Sequence, residues 1–276
     1  DAFSDNGLGE LTIPMESRFL INDGQHRRAA IEEALKVDPL LRDETISIVF
    51  FADKGLKRSQ QMFADLNKHA INTTKSIGIL YDNRDPLSQL SKKVVDSIQL
   101  LKGYTDKEAD NLSKYSPKIF TLTNLHSSVC CILDKQKGDI DKAEEQFVIE
   151  YWKSLCATMF EWKEVQKKSL SAYEFRKNYI NAHGIIVVAL GLLGNYFFKN
   201  NIKDYKKYLK WLNDIDWKRS NLRDWNGRAI TSNGRINKNS TAIKLTRNRI
   251  KQLLGIELND EEKKIEELIQ IYNEEQ

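Results

Sequence analysis

Asp23, Gly24, Gln25, His26 and Arg27 place a carboxylate, a conformationally free backbone, an amide, a titratable ring and a permanent cation within one short turn. Gly24 lets the chain reach positive φ, so the turn can aim backbone N–H groups outward at the start of a helix. Such a mouth favours anions, phosphate above all, and His26 and Arg27 add positive charge to it. Asp23 could accept from amides, hold a hydroxyl, or assist a metal or water. If the site does chemistry, Asp23, His26 and Arg27 are the catalytic candidates, with Arg27 stabilising phosphoryl charge. Ordinary turn and capping chemistry would use the same residues and stays open.

A second set of phosphate-type donors lies downstream. His69, Asn72, Thr73, Thr74, Lys75 and Ser76 combine short hydroxyls and amides with one cation. By themselves Thr74, Lys75 and Ser76 read as a polar loop in which Thr74 or Ser76 merely caps a helix. The third set is a basic stretch, 217–251. Its expected DNA contacts are Arg219, Arg223, Arg228, Arg235, Lys238, Lys244, Arg247, Arg249 and Lys251, with Trp217, Trp225 and several asparagines interleaved and Asp224 as the sole acid. Cations with aromatic and amide groups are what nucleic-acid surfaces use. The competing reading is a solvated basic face neutralised by the acidic helix expected over 260–276.

The elements that position these groups follow from periodicity. Phe19, Leu20 and Ile21 read as the end of a strand, Asn22, Asp23 and Gly24 as the turn, and Arg28 onward as a helix. Leu11 to Ile13 could form a short edge strand, and 45–51, β-branched and aromatic, is the clearest strand of the chain. A helix is expected over 57–70. Strand and helix alternate here, which argues α/β. From 87 the pattern turns helical, with segments expected over 87–101, 122–133, 141–167, 172–198, 241–254 and 260–276. The aromatic face around Tyr151, Trp152, Phe160 and Trp162 reads as core. The expected division is an α/β domain over 1–86 and a helical domain over 87–276.

Bulk properties narrow the class. The 276 residues are 41% hydrophobic and 30% charged, with net charge +4, ample for a buried core and a weak hint of a polyanionic partner. The distribution is sharper. Eight acids against Lys263 and Lys264 give the last twenty residues a local −6, so the remainder carries +10. Three cysteines build no disulfide framework, which points to a reducing compartment, and four scattered histidines offer no zinc spacing. The most apolar run, 185–198, is too short for a bilayer, which takes about 20 residues. It reads as a buried helix, and no membrane association is expected.

The Asp23 to Arg27 pentapeptide is the motif of the DGQHR proteins, a branch resembling the ParB/sulfiredoxin-like superfamily. The similarity continues through Phe50 and Phe51, the run Arg58, Ser59, Gln60, Gln61, Met62, Phe63, Ala64, Asp65, Leu66 and Asn67, then Thr74 to Ser76 and Leu80 to Asp85. Together these resemble the DndB family of DNA sulfur modification proteins. Beyond Asp85 the likeness rests on length, helical character and the Trp225 to Ala229 neighbourhood. The family carries a segment ahead of this region, so part of the first domain is expected to be missing here. The resemblance implies a bacterial cytoplasmic protein of the phosphorothioate modification system, a DNA-binding transcriptional regulator of that gene cluster. Double-stranded DNA is the implied partner; other modification proteins and a homo-oligomer stay open. In relatives with this fold the strand-turn-helix binds nucleoside triphosphates, and the resemblance implies that Thr74, Lys75 and Ser76 face the Asp23 to Arg27 turn at one rim of the sheet, where consecutive loops gather ligand groups. An NTPase or DNA nickase using a nucleoside triphosphate with Mg is therefore kept as an alternative, as is a scaffold for the modification complex.

Overall fold

The computed structural model describes residues 12–17, 19–21, 23–50, 55–67 and 74–274. The chain forms two compact units, Asp1–Leu66 and Asn67–Gln276. It is mostly helical with one small two-stranded parallel sheet, the mixed class expected in its coarse form.

In the first unit Gly24 adopts φ 102° and turns the chain into helix α1, Gln25–Val37. The helix stops where Asp38 becomes extended ahead of Pro39, as the residue before a proline must. Asp38 then caps a 3-10 turn, Pro39–Asp43, by accepting from the Leu40 amide. Helix α2 covers Leu56–Asn67, close to its expected span; 68–70 lie outside the described residues. Among the described residues the expected strands are not paired. Residues 12–13, 19–21 and 45–50 have no ladder partner among the described residues, and Leu11 and Phe51 lie outside them. β-branched composition favours extended backbone, but a strand exists only when a second backbone pairs with it. Ile46, Ile48 and Val49 are accordingly exposed, and Phe50 meets Phe19 at 5.6 Å between ring centroids.

The second unit holds the core. Thr74 caps helix α3, Lys75–Tyr81, and Asp85 caps α4, Pro86–Ser97, where proline takes the first turn without a hydrogen-bond penalty. Helix α5, Gln99–Tyr104, follows. Strands β1, Thr105–Asp106, and β2, Phe120–Thr121, pair in parallel with Thr105 opposite Phe120. Helix α6 is Leu122–Leu133, the span that periodicity gives. Capping boxes start α7, Lys142–Thr158 (Asp141 with Glu144), and α9, Ala172–Asn178 (Ser171 with Glu174), with α8, Phe160–Gln166, between them. Then come α10, Gly184–Lys199; α11, Lys206–Lys210; α12, Leu222–Trp225; α13, Ser240–Leu253; and α14, Asp260–Glu274.

Three helices expected to be continuous are broken, each by a buried residue that leaves helical backbone geometry or by a tertiary bond. Ile98, buried, interrupts 87–101. Met159, fully buried, divides 141–167. Within 172–198 the break runs from Tyr179 to His183, where the Ile180 amide donates to the Trp217 carbonyl at 2.9 Å instead of to its own helix.

Helix α10 is the axis of this unit, apolar on every side because α6, α7 and α13 cover it. Gly191 makes the approach to α6 possible, since a Cβ there would stand 2.7 Å from the Ser128 carbonyl oxygen and 2.8 Å from its Cα. Trp152 and Trp162 stack at 6.3 Å in the core, and Trp162 satisfies its ring N–H on the Asn181 carbonyl at 3.0 Å. Among the described residues no helix is long and apolar enough to cross a membrane.

Candidate nucleic-acid interface

At the turn, His26 and Arg27 are exposed. Asp23 does not cap α1; its Oδ2 takes Arg27 Nη2 at 2.7 Å across one helical turn, with both side chains in solvent. Gln25 Nε2 donates back to the Ile21 carbonyl at 2.9 Å. The helix therefore opens without a side-chain cap. An exposed ion pair of this kind contributes little, about 0.2–1 kcal/mol, and yields readily to a stronger anion.

Thr74, Lys75 and Ser76 belong to the other unit, and their donors are largely occupied. Thr74 Oγ1 accepts from the Ile77 amide at 3.2 Å and hydrogen-bonds the Glu108 carbonyl. The Lys75 and Ser76 amides donate to Asp110 at 2.9 and 2.8 Å, and Ser76 Oγ donates to the Ala109 carbonyl at 3.0 Å. An oxyanion does sit at the mouth of α3, but it is the protein's own Asp110. Burial opposes its ionisation, yet hydrogen bonds from Thr123 Oγ1 and the two amides hold its carboxyl below the usual range. The Lys75 side chain is what this trio leaves exposed. His69, Asn72 and Thr73 lie outside the described residues.

The basic stretch separates into two groups. Arg228 forms a two-pronged pair with Glu266, at 2.8 and 2.5 Å, and also donates to the Leu245 carbonyl. Arg249 grips Asp224, with Nε at 3.0 Å from Oδ1. Glu262 takes Arg247 at 2.8 Å on one oxygen and Lys251 at 2.5 Å on the other. Lys251 is 1% exposed and also lies 4.1 Å above the Tyr196 ring. Acidic α14 thus neutralises part of basic α13 from inside the fold. Trp217 and Trp225 are core as well, stacked at 5.3 Å with their N–H groups on the Leu212 and Asp216 carbonyls, so neither is a base-stacking surface.

The remaining cations are Arg219, Arg223, Arg235, Lys238 and Lys244, none in a salt bridge among the described residues. Arg223, Arg235, Lys238 and Lys244 are exposed; Arg219, half-buried, donates to the Gly234 carbonyl at 2.8 Å and ties the 231–236 loop to the start of the segment. Among the described residues no group of three or more His, Cys, Asp or Glu side chains could hold a metal.

Sequence reasoning passed over Lys114, Arg176 and His183, which border a cavity of about 730 Å³ together with Lys238. Their segments are far apart in the chain and share no motif. The nearest signal is Lys114 beside Tyr115, a cation next to an aromatic ring.

A family model described as DNA-sulfur modification-associated, DndB, matches residues 2–257. No curated protein and no solved structure matches the chain.

Proposed function

The chain belongs to the DndB family of DNA-sulfur modification-associated proteins, and from that membership we propose that it holds duplex DNA by its phosphates and regulates transcription of the modification genes. The carrying observation is the split within 217–251. Four cations are neutralised internally, whereas Arg219, Arg223, Arg235, Lys238 and Lys244 stand outside any salt bridge among the described residues. Unpaired cations release counterions from DNA, while paired ones have nothing to offer it. The setting is the bacterial cytoplasm, with residues 1–86 read as a ParB/sulfiredoxin-like domain ahead of the helical domain 87–276.

The Asp23 to Arg27 turn is the second phosphate contact in this reading. Its support is the exposed, uncapped start of α1 beside His26 and Arg27. An arriving phosphate would draw Arg27 away from Asp23 with little loss. Thr74 and Ser76 contribute by shaping α3, and Lys75 by its exposed ammonium.

The test is duplex affinity by fluorescence anisotropy across a salt series. Charge reversal of Arg223 and Lys244 together should weaken binding to all sequences and flatten the salt slope by about two. Arg27→Glu should weaken it too. Binding and slope untouched by the double reversal would remove the basic segment from the interface; binding untouched by Arg27→Glu would remove the turn.

A further inference from the structure

The cavity of about 730 Å³ lies wholly within the second unit, between the 110–114 loop, β2, the start of α10 and the 236–238 loop. That volume suits a ligand the size of a nucleotide. Its electrostatics are one-sided. Lys114, Arg176, Lys177 and Lys238 line it, against Asp110 as the one carboxylate among the lining residues. Asp110 is already satisfied on both oxygens by Lys75, Ser76 and Thr123.

Arg176 sets the local field. Its guanidinium donates to the carbonyls of Ser113, Lys114, Ser116 and Lys118, all neutral, and holds the 113–118 loop in place. A half-buried cation bonded to carbonyls alone keeps its whole charge, and burial lowers its pKa accordingly. His183 feels the same field. Burial first, then Arg219, Arg176 and Lys238, push its ring down to about 4, so it is neutral at physiological pH. With Nε2–H donating to the Arg176 carbonyl at 3.0 Å, Nδ1 is left as an acceptor.

The other half of the lining is apolar and aromatic. Ile119, Ile185, Val188 and Ile236 border the space, and Tyr173 lines it while stacking on Tyr115 at 5.5 Å. Tyr115 is 75% exposed, and Lys114 lies over both rings. A cation beside a ring pair, an apolar wall, and amides from Asn124 and Asn237 meet the needs of a base joined to a phosphate.

We propose that this cavity receives a single nucleotide unit, its phosphate among Lys114, Lys177 and Lys238 and its base against Tyr173 and the apolar wall. Lys238 also belongs to the basic segment, so the cavity is continuous with the proposed DNA-holding surface. The unit is either a free mononucleotide or a nucleotide rotated out of a duplex. Only the duplex source rests on the DNA-holding reading.

Calorimetric titration of the full chain with dAMP and dTMP at low salt tests the site. Saturable one-to-one binding is expected, weakened about tenfold or more in Val188→Trp, which fills the space, and in Lys177→Glu at the exposed rim. Arg223→Glu should leave it unchanged while weakening duplex binding. Inorganic phosphate should compete at least about tenfold more weakly. Equal competition by phosphate, or binding unchanged in both cavity variants, overturns the assignment. A duplex with one unpaired 2-aminopurine separates the sources: brightening abolished by Val188→Trp assigns the unit to DNA, and mononucleotide binding without brightening assigns it to the free nucleotide. No binding by mononucleotide and no brightening overturns the proposal. Mononucleotide binding with no duplex affinity at all would sink the DNA-holding reading alone.

Discussion

Replacing Glu262 by glutamine should be the most damaging single charge change in the second unit. Its carboxylate, 4% exposed, accepts from Arg247 at 2.8 Å, Lys251 at 2.5 Å and the Asn259 amide at 3.0 Å. Glutamine keeps the shape but removes the charge, and its NH₂ must face a donor on one side or the other. Lys251 would then be a buried ammonium with the Tyr196 ring, 4.1 Å away, as its remaining counterpart. Stranding a buried charge costs about 3–5 kcal/mol. At about 2–4 °C per kcal/mol for a unit of this size, the melting temperature should fall by roughly 6–20 °C. Lys251→Met should cost less, about 1–2 kcal/mol, because Glu262 keeps Arg247 and the Asn259 amide while the methionine fills the space of the lysine stem. Urea unfolding of the two variants gives the order directly. Duplex binding provides the second measure: Lys251→Met should leave the salt slope unchanged, since that ammonium never reaches solvent. Should Glu262→Gln lose under 1 kcal/mol, or Lys251→Met flatten the salt slope as surface charges do, the division into internal and external cations is wrong.

Acid should destabilise the second unit through His183. Its folded pKa, about 4, lies below the ordinary value near 6.5, so the unfolded chain binds the proton first as pH falls. The contribution is complete above pH 6.5 and lost between there and about pH 4, in all about 3 kcal/mol. His183→Gln should remove that slope, and an identical pH profile in the variant would refute the assignment. Gly191→Ala should destabilise by about 1–3 kcal/mol although alanine favours helices, because the new Cβ meets the Ser128 backbone under 3 Å; a more stable variant by scanning calorimetry would show that α6 and α10 part freely. Cys130, buried and with its thiol pushed up to about 11 by burial, and Cys156, pushed higher still, should resist alkylation in the folded chain. Labelling of Cys130 or Cys156 as fast as in urea would contradict their burial.

Much of this molecule is written locally. The span of α6 follows from its apolar spacing and Thr121 cap, and that of α13 from its amphipathic pattern after Asn239; the Asp-Gly turn marks the entry to α1, which starts at Gln25 rather than at the Arg28 expected. Each depends on neighbours a few residues away, which is why sequence alone suffices. His26 and Arg27 stand exposed at that turn. Tertiary structure decided what depends on partners far along the chain. Residues 45–50 have strand composition, yet no second backbone pairs with them among the described residues. Arg223 and Arg249 look alike in the sequence, but Asp224 reaches one of them with a close ion pair while the other stays in solvent. The cavity by Arg176 and His183 has little sequence signature, because its walls come from segments far apart in the chain, among them the 110–114 loop, α9, the start of α10 and the 236–238 loop. Charge neutralisation, strand pairing and enclosure are properties of distances through space, and a linear pattern carries no record of them.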